Sequence, residues 1–260
     1  YEELLFGATA AHLAERFGTR GVPQAVTTAC ASGASAIQLA IEAIRAGEAE
    51  CAIAAGAEAS LMPETLIRFS LLQALSTRND PPEAASRPFT LSRDGFVMGD
   101  GAGALVLETE ERARARGAAI LGYVLGAGEA ADTFHRTRSS PDGMAIVRAM
   151  ERAIADAGLS PDGIGYVNAH GTSTPENDKM ESLACRLLFG ERPPPISSTK
   201  SMIGHTLSAA GAIEAAVCLL ALRDQVLPPT INQDDPDPEI GMDTVPVARP
   251  HAFRAALSNS

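Results

Sequence analysis

The sequence predicts an α/β fold, and three observations carry that prediction. Short continuous apolar runs alternate with longer segments whose apolar residues recur at helical spacing. Glycines stand where the helical segments should stop. The chain of 260 residues is 45% hydrophobic and 20% charged, enough apolar matter to bury a sizeable core.

In chain order, residues 34–46 predict a helix, with Ile37, Ile41 and Ile44 on one face and Gly47 as its stop. Residues 51–55 read as a buried strand, and residues 103–107 as another. A charged helix over 109–116 ends at Gly117. Residues 119–125 read as extended. Residues 142–157 predict a helix with Ile146, Met150 and Ile154 facing inward and Gly158 closing it. A strand over 164–168, a helix over 176–189, a short strand over 196–198 and a small-residue helix over 207–223 complete the series. The polar, Pro-containing stretch 78–90 predicts a loop, and 228–250, rich in Pro and Asp, predicts a loop over the surface. A weak internal echo links 31–47 with 208–224, each a small-residue entry into an apolar helix.

Net charge is −11 and aromatics make up 4% with no Trp, a poor composition for gripping phosphate backbones, so nucleic acid is excluded as a partner. The longest apolar stretch, 209–222, is interrupted by Glu214 and too short to span a bilayer, so no membrane span is expected. The four cysteines lie far apart, which predicts neither a zinc site nor a disulfide framework. Reduced thiols and a cytoplasmic location follow as expectations, with Cys51, Cys185 and Cys218 in the core. The run GDGAG at 99–103 lacks a phosphate-loop lysine and predicts close packing instead.

Four residues carry chemistry at strand ends or tight turns. Cys30, in VTTACASGASAIQLA, lies where an apolar run enters a helix, and the positive end of the helix dipole favours thiolate there. His170, in YVNAHGTSTPEND, follows a strand at the end where α/β folds place their sites. Lys200 and His205, in ISSTKSMIGHTLSAAGAIEA, flank a Gly-containing turn. Taken singly, each has a plain reading: a packed thiol, a capping imidazole, a solvated lysine. Glu214 bears on the last, because a carboxylate among alanines and leucines needs a partner, and Lys200 is the nearest candidate. Cys with His suits acyl transfer, and two imidazoles suit a developing oxyanion.

The blocks TTACASG, RPFTLSRDGFVMGDGAGALVLE, NAHGTSTPEND and STKSMIGHTLSAAGAIEA closely resemble the decarboxylating β-ketoacyl-(acyl-carrier-protein) synthases, in order and over nearly the whole chain. The resemblance implies a thiolase-like layered αβαβα fold, incomplete at both ends, with an N-terminal half at 1–110 and a C-terminal half at 111–260. It implies that Cys30 takes the acyl group, that His170 and His205 support malonyl decarboxylation, and that Lys200 and Glu214 stand beside them. Thr172 and Thr174 match residues that hydrogen-bond the pantetheine arm, and Phe69 and Leu207 fall where relatives line the acyl pocket. No metal is required for the chemistry, although Asn168 and Glu214 match residues that help hold a structural monovalent cation in some relatives. No cofactor is bound; phosphopantetheine arrives on an acyl carrier protein. A homodimer is implied. Family members carry a further N-terminal portion and a Phe- and Gly-rich loop beyond the positions matching Tyr1 and Ser260.

A thiolase-like enzyme acting on acyl-CoA is disfavoured by the histidine pair, and a non-catalytic chain-length partner by the presence of Cys30. An acidic carrier meeting an acidic chain needs a local basic patch, for which Arg68, Arg78, Arg87, Arg136 and Arg138 are candidates. The loop PENDKMES departs from the Leu-Gly-Asp that many relatives have after this Pro.

Overall fold

The computed structural model of the chain describes residues 7–135 and 138–260. Helices and strands alternate: α1 (Ala8–Phe17), α2 (Ser32–Arg45), β1 (Cys51–Glu58), α3 (Pro63–Leu71), β2 (Gly101–Glu108), α4 (Glu110–Ala115), α5 (Met144–Asp156), β3 (Tyr166–Asn168), α6 (Pro175–Phe189), β4 (Ile196–Ser197), α7 (Lys200–Ile203), α8 (Ala210–Asp224), β5 (Val226–Leu227), β6 (Arg249–Pro250) and β7 (Ala256–Ser258).

β1 and β2 form an antiparallel ladder running from Cys51↔Glu108 to Glu58↔Gly101. Alternation sends Ala52, Ala54, Leu105 and Leu107 to one face, where they meet Ile37, Ala40 and Ile41 of α2 and Ala215 of α8. A second sheet is parallel, in the order β4-β3-β7. Its Val167, Ile196 and Leu257 pack on Val147, Met150 and Ile154 of α5 and on Ala184 and Cys185 of α6. Tyr166 faces the other way, onto Cys218 and Ala221 of α8. Helix α8 thus lies between two sheets, and the layers read helix, sheet, helix, sheet.

Two glycines let the inner helices touch. A β-carbon at Gly33 would come within 2.7 Å of the Ala212 nitrogen, and one at Gly211 within 2.4 Å of the Ala34 nitrogen. The two halves of the internal echo are therefore the helices α2 and α8, packed on each other at their first turns. Gly99 and Gly103 are similarly tight against the backbone at Ile203 and Ile213, as the close-packing reading of GDGAG expects.

The structure departs from expectation in several places. Helices α1 and α3 lie outside the expected series, and neither buries a residue. Residues 119–125 form no strand among the described residues, and Leu121 stands 74% exposed. The last long helix begins as a 3-10 turn at Leu207–Ala209 and becomes α-helical from Ala210. The loop 228–250, expected on the surface, is partly core, with Thr230, Ile240 and Val245 buried, and the loop 78–90 buries Phe89 at 1% exposure. Their charges are neutralised across the fold, Arg87 by Asp234 and Arg93 by Asp237. Cys185 and Cys218 are buried, but Cys51 is exposed, on the face of the ladder turned away from α2 and α8. Among the described residues, no helix is long and apolar enough to cross a membrane.

Candidate active site

The site forms where the starts of α2 and α8 meet. Cys30 follows Ala29, whose φ of 52° turns the chain sharply into α2. His205 sits between α7 and the 3-10 turn, and its backbone is tied to the entry of β2: its N–H donates to Val97 O at 2.7 Å, and its carbonyl accepts the Gly99 N–H at 3.0 Å. The result is a separation of 3.0 Å between Cys30 Sγ and His205 Nε2.

The other ring nitrogen decides what that contact is. His205 Nδ1 accepts the Leu207 N–H at 3.3 Å, so in the neutral ring the proton is on Nε2 and points at the sulfur. Leu207 aims its amide this way through a left-handed φ of 44°.

His170 follows β3 and meets His205 edge-on, with ring centroids 5.2 Å apart. Its backbone is held by a residue that sequence reasoning missed. The two carboxylate oxygens of Glu181 accept the N–H groups of His170 and Gly171, each at 2.8 Å, and Glu181 also accepts from Asn259 Nδ2 at 2.9 Å. A second missed carboxylate, Asp178, accepts the Ser173 and Phe89 N–H groups at 3.2 and 2.9 Å, joining the histidine turn to the 87–93 loop. Nothing local in the sequence marks either one, since both face inward from α6 toward distant backbone.

The ligand atoms of Cys30, His170 and His205 all lie within 4.8 Å of one another, which is metal-site spacing. The surroundings are set the other way. A metal-bound imidazole donates its second N–H outward, whereas Nδ1 of His205 faces a donor. His205 is set to donate to the Cys30 sulfur rather than to share a metal with it.

Lys200 is not the solvated lysine of the plain reading. Its ammonium pairs with Glu214, both side chains being 2% exposed, and Ser260 Oγ donates to the other Glu214 oxygen at 3.2 Å. Burial pushes the Glu214 carboxyl up, opposed by the Lys200 charge. Burial, with Lys200 adding to it, pushes His205 down to about 3 and His170 well below the ordinary imidazole range. Both rings are therefore neutral across the physiological range. Burial also pushes the Cys30 thiol up, only partly offset by Lys200, so the expected thiolate bias of the helix N-terminus is outweighed.

The remaining expected residues surround this centre. Thr172 and Thr174 share a hydrogen bond at 2.8 Å between their hydroxyls on the histidine turn. Phe69 stands two rings away from His205: its ring is 5.2 Å from Phe96, which sequence reasoning did not single out, and Phe96 is 5.3 Å from His205. Asn168 donates to Tyr166 Oη at 3.2 Å, while its buried Oδ1 has no partner among the described residues. Of the arginines proposed for a basic patch, Arg68 and Arg138 are exposed and Arg78 is half-buried. Arg87 is buried against Asp234 and drops out; Arg136 lies outside the described residues.

Comparison with known proteins shows the family. The family models for the N-terminal and C-terminal domains of beta-ketoacyl synthase match residues 4–113 and 121–234. The chain is 47% identical to 3-oxoacyl-(acyl-carrier-protein) synthase 2 of Vibrio cholerae, over 94% of this chain and 60% of that protein. It is 47% identical to the enzyme of the same name in Rhizobium meliloti, over 98% of this chain and 62% of that one. A chain in the structure of a type II polyketide acyl-carrier protein in complex with its ketosynthase superposes with a TM-score of 0.97 at 38% identity, covering 99% of this chain and 64% of that chain. The chain spans about 60% of the length of the curated relatives it matches. Its fold is thiolase-like, and with both halves of the family pattern present in order, the chain belongs to the β-ketoacyl synthase family.

Proposed function

We propose that the protein elongates acyl chains by decarboxylative Claisen condensation, working with an acyl carrier protein in fatty acid or polyketide synthesis. The observation that carries this reading is the 3.0 Å contact between Cys30 Sγ and a His205 ring whose proton is held on Nε2.

The Cys30 sulfur attacks the thioester carbonyl of an acyl carrier. The carrier's pantetheine thiolate leaves and takes up the proton that the Cys30 thiol gives up, so the acyl group now rests on Cys30. A malonyl carrier thioester enters next. Its C–C bond to the carboxylate breaks, carbon dioxide departs, and the electron pair becomes an enolate. The enolate oxygen accepts hydrogen bonds from the ring N–H groups of His170 and His205, both neutral and so both able to donate. The enolate carbon attacks the acyl carbonyl, Cys30 leaves as thiolate and takes up a proton from solvent, and the product is a β-ketoacyl carrier two carbons longer. Burial, with the Lys200 charge adding to it, keeps both rings unprotonated.

In the same reading, Thr172 and Thr174 hold the pantetheine arm, and Phe69 and Leu207 line the acyl pocket with Phe96 between Phe69 and the imidazole. The orphaned Asn168 Oδ1 is an oxygen donor of the kind a structural monovalent cation takes. The Glu214 oxygens already accept from Lys200 and Ser260, and the support for the cation comes from Asn168. Arg68 and Arg138 are the exposed positive groups offered to an acidic carrier. A second subunit would cover Ile67 and Leu71 of α3, which are 60% and 79% exposed. The division near residue 110 is supported by the two family models, which end at 113 and resume at 121. Four free thiols go with a cytoplasmic location.

A condensation assay with acyl and malonyl carrier thioesters tests the reading. Cys30→Gln, which cannot be acylated, should abolish condensation; product formation by that variant would refute it.

A further inference from the structure

Ala29 holds a left-handed conformation, φ 52°, that a residue with a β-carbon seldom adopts, and it does so directly before Cys30. One side chain grips both sides of it. The Ser32 hydroxyl donates to the Ala29 carbonyl at 2.6 Å and accepts the Thr28 N–H at 2.9 Å. A serine at a helix start ordinarily caps the amides ahead of it. Helix α2 has no side-chain cap, and this serine, buried at its first position, reaches backward out of the helix instead. The Ser32 and Ala31 N–H groups close the same turn onto Ala29 O and Thr28 O, each at 3.1 Å.

We infer that Ser32 is a positioning residue for the Cys30 thiol: its hydroxyl keeps Ala29 left-handed and so holds Sγ beside His205 Nε2. The role rests on the reading of Cys30 as the acyl-accepting nucleophile. Without the hydroxyl, Ala29 relaxes toward negative φ and swings the Cys30 Cα–Cβ bond away from the imidazole.

The test compares Ser32→Ala, Ala29→Gly and the double variant by the rate of acyl transfer from an acyl carrier thioester to Cys30 and by the rate of iodoacetamide alkylation of Cys30. A displacement of about 1 Å costs on the order of a hundredfold, so Ser32→Ala should slow acylation by about ten- to a hundredfold. Adding Ala29→Gly should restore most of that rate, because glycine adopts this φ without a clamp. Malonyl decarboxylation, measured in a Cys30→Gln background, should be unchanged by Ser32→Ala, since the histidines do not depend on the clamp. Wild-type acylation rates in Ser32→Ala, no recovery in the double variant, or an equal loss of decarboxylation would each overturn the inference. Should wild-type Cys30 accept no acyl group, the ketosynthase reading fails, and the alkylation rates still decide the role of Ser32.

Discussion

Cys30 Sγ and His205 Nε2 stand 3.0 Å apart although 175 positions separate them in the chain. Neither helix start could deliver its residue alone. The contact exists because α2 and α8 meet backbone to backbone at Gly33 and Gly211, within the layer between the two sheets.

That packing is testable at Gly211. A β-carbon there would lie 2.4 Å from the Ala34 nitrogen, a backbone atom that cannot rotate aside. Gly211→Ala should destabilise the fold by about 1–3 kcal/mol, the usual cost of overpacking, and slow Cys30 alkylation by parting the two helix starts. Urea unfolding and iodoacetamide kinetics on the same sample check both.

The Lys200–Glu214 pair should behave as a buried pair. Lys200→Met leaves the Glu214 carboxyl without its charged partner at 2% exposure. Removing one member of such a pair costs about 3–5 kcal/mol, while replacing both with apolar residues is often neutral. Chemical denaturation should therefore show Lys200→Met well below wild type and Lys200→Met with Glu214→Leu recovering most of the difference.

Glu181 should act on the histidine turn without touching a substrate. Glu181→Gln keeps one acceptor oxygen and turns an amide N–H₂ toward a main-chain donor, so one of the His170 and Gly171 N–H groups loses its partner. The expected cost is about 1–3 kcal/mol of stability, with malonyl decarboxylation falling more than Cys30 acylation. Denaturation and the two partial-reaction assays separate these effects.

The histidines predict a pH dependence with a definite sign. An imidazole in the unfolded chain titrates near 6.5 and His205 in the fold at about 3. Between those values the unfolded chain binds a proton that the folded chain does not. Stability from His205 is thus fully present above pH 6.5 and is lost as pH falls toward 3. Asp178, raised to about 6 chiefly by burial, works in the opposite direction. The difference between wild type and His205→Asn isolates the histidine: it should shrink steadily from pH 7 to pH 4 in unfolding titrations.

Much of this centre was legible in the sequence because its chemistry is written locally. Cys30, His170 and His205 each stand at a junction between an apolar run and a polar turn, and Glu214 is conspicuous among alanines and leucines. What could not be read were relationships over distance. Arg87 and Arg93 look like surface charge until Asp234 and Asp237 arrive from about 145 positions away. Glu181 and Asp178 look like the polar face of an ordinary helix, because their partners are main-chain amides that no side-chain pattern reveals. Phe96 sits inside a quoted motif, but its place between Phe69 and His205 depends on three separate segments.

The central claim is that Cys30 carries the acyl group. Mass spectrometry of the protein after incubation with an acyl carrier thioester tests it most directly. The account predicts a mass increase of one acyl group on the peptide containing Cys30, absent from Cys30→Ala. An acyl group found on Cys51 or another residue, or no label on a folded protein, would contradict it.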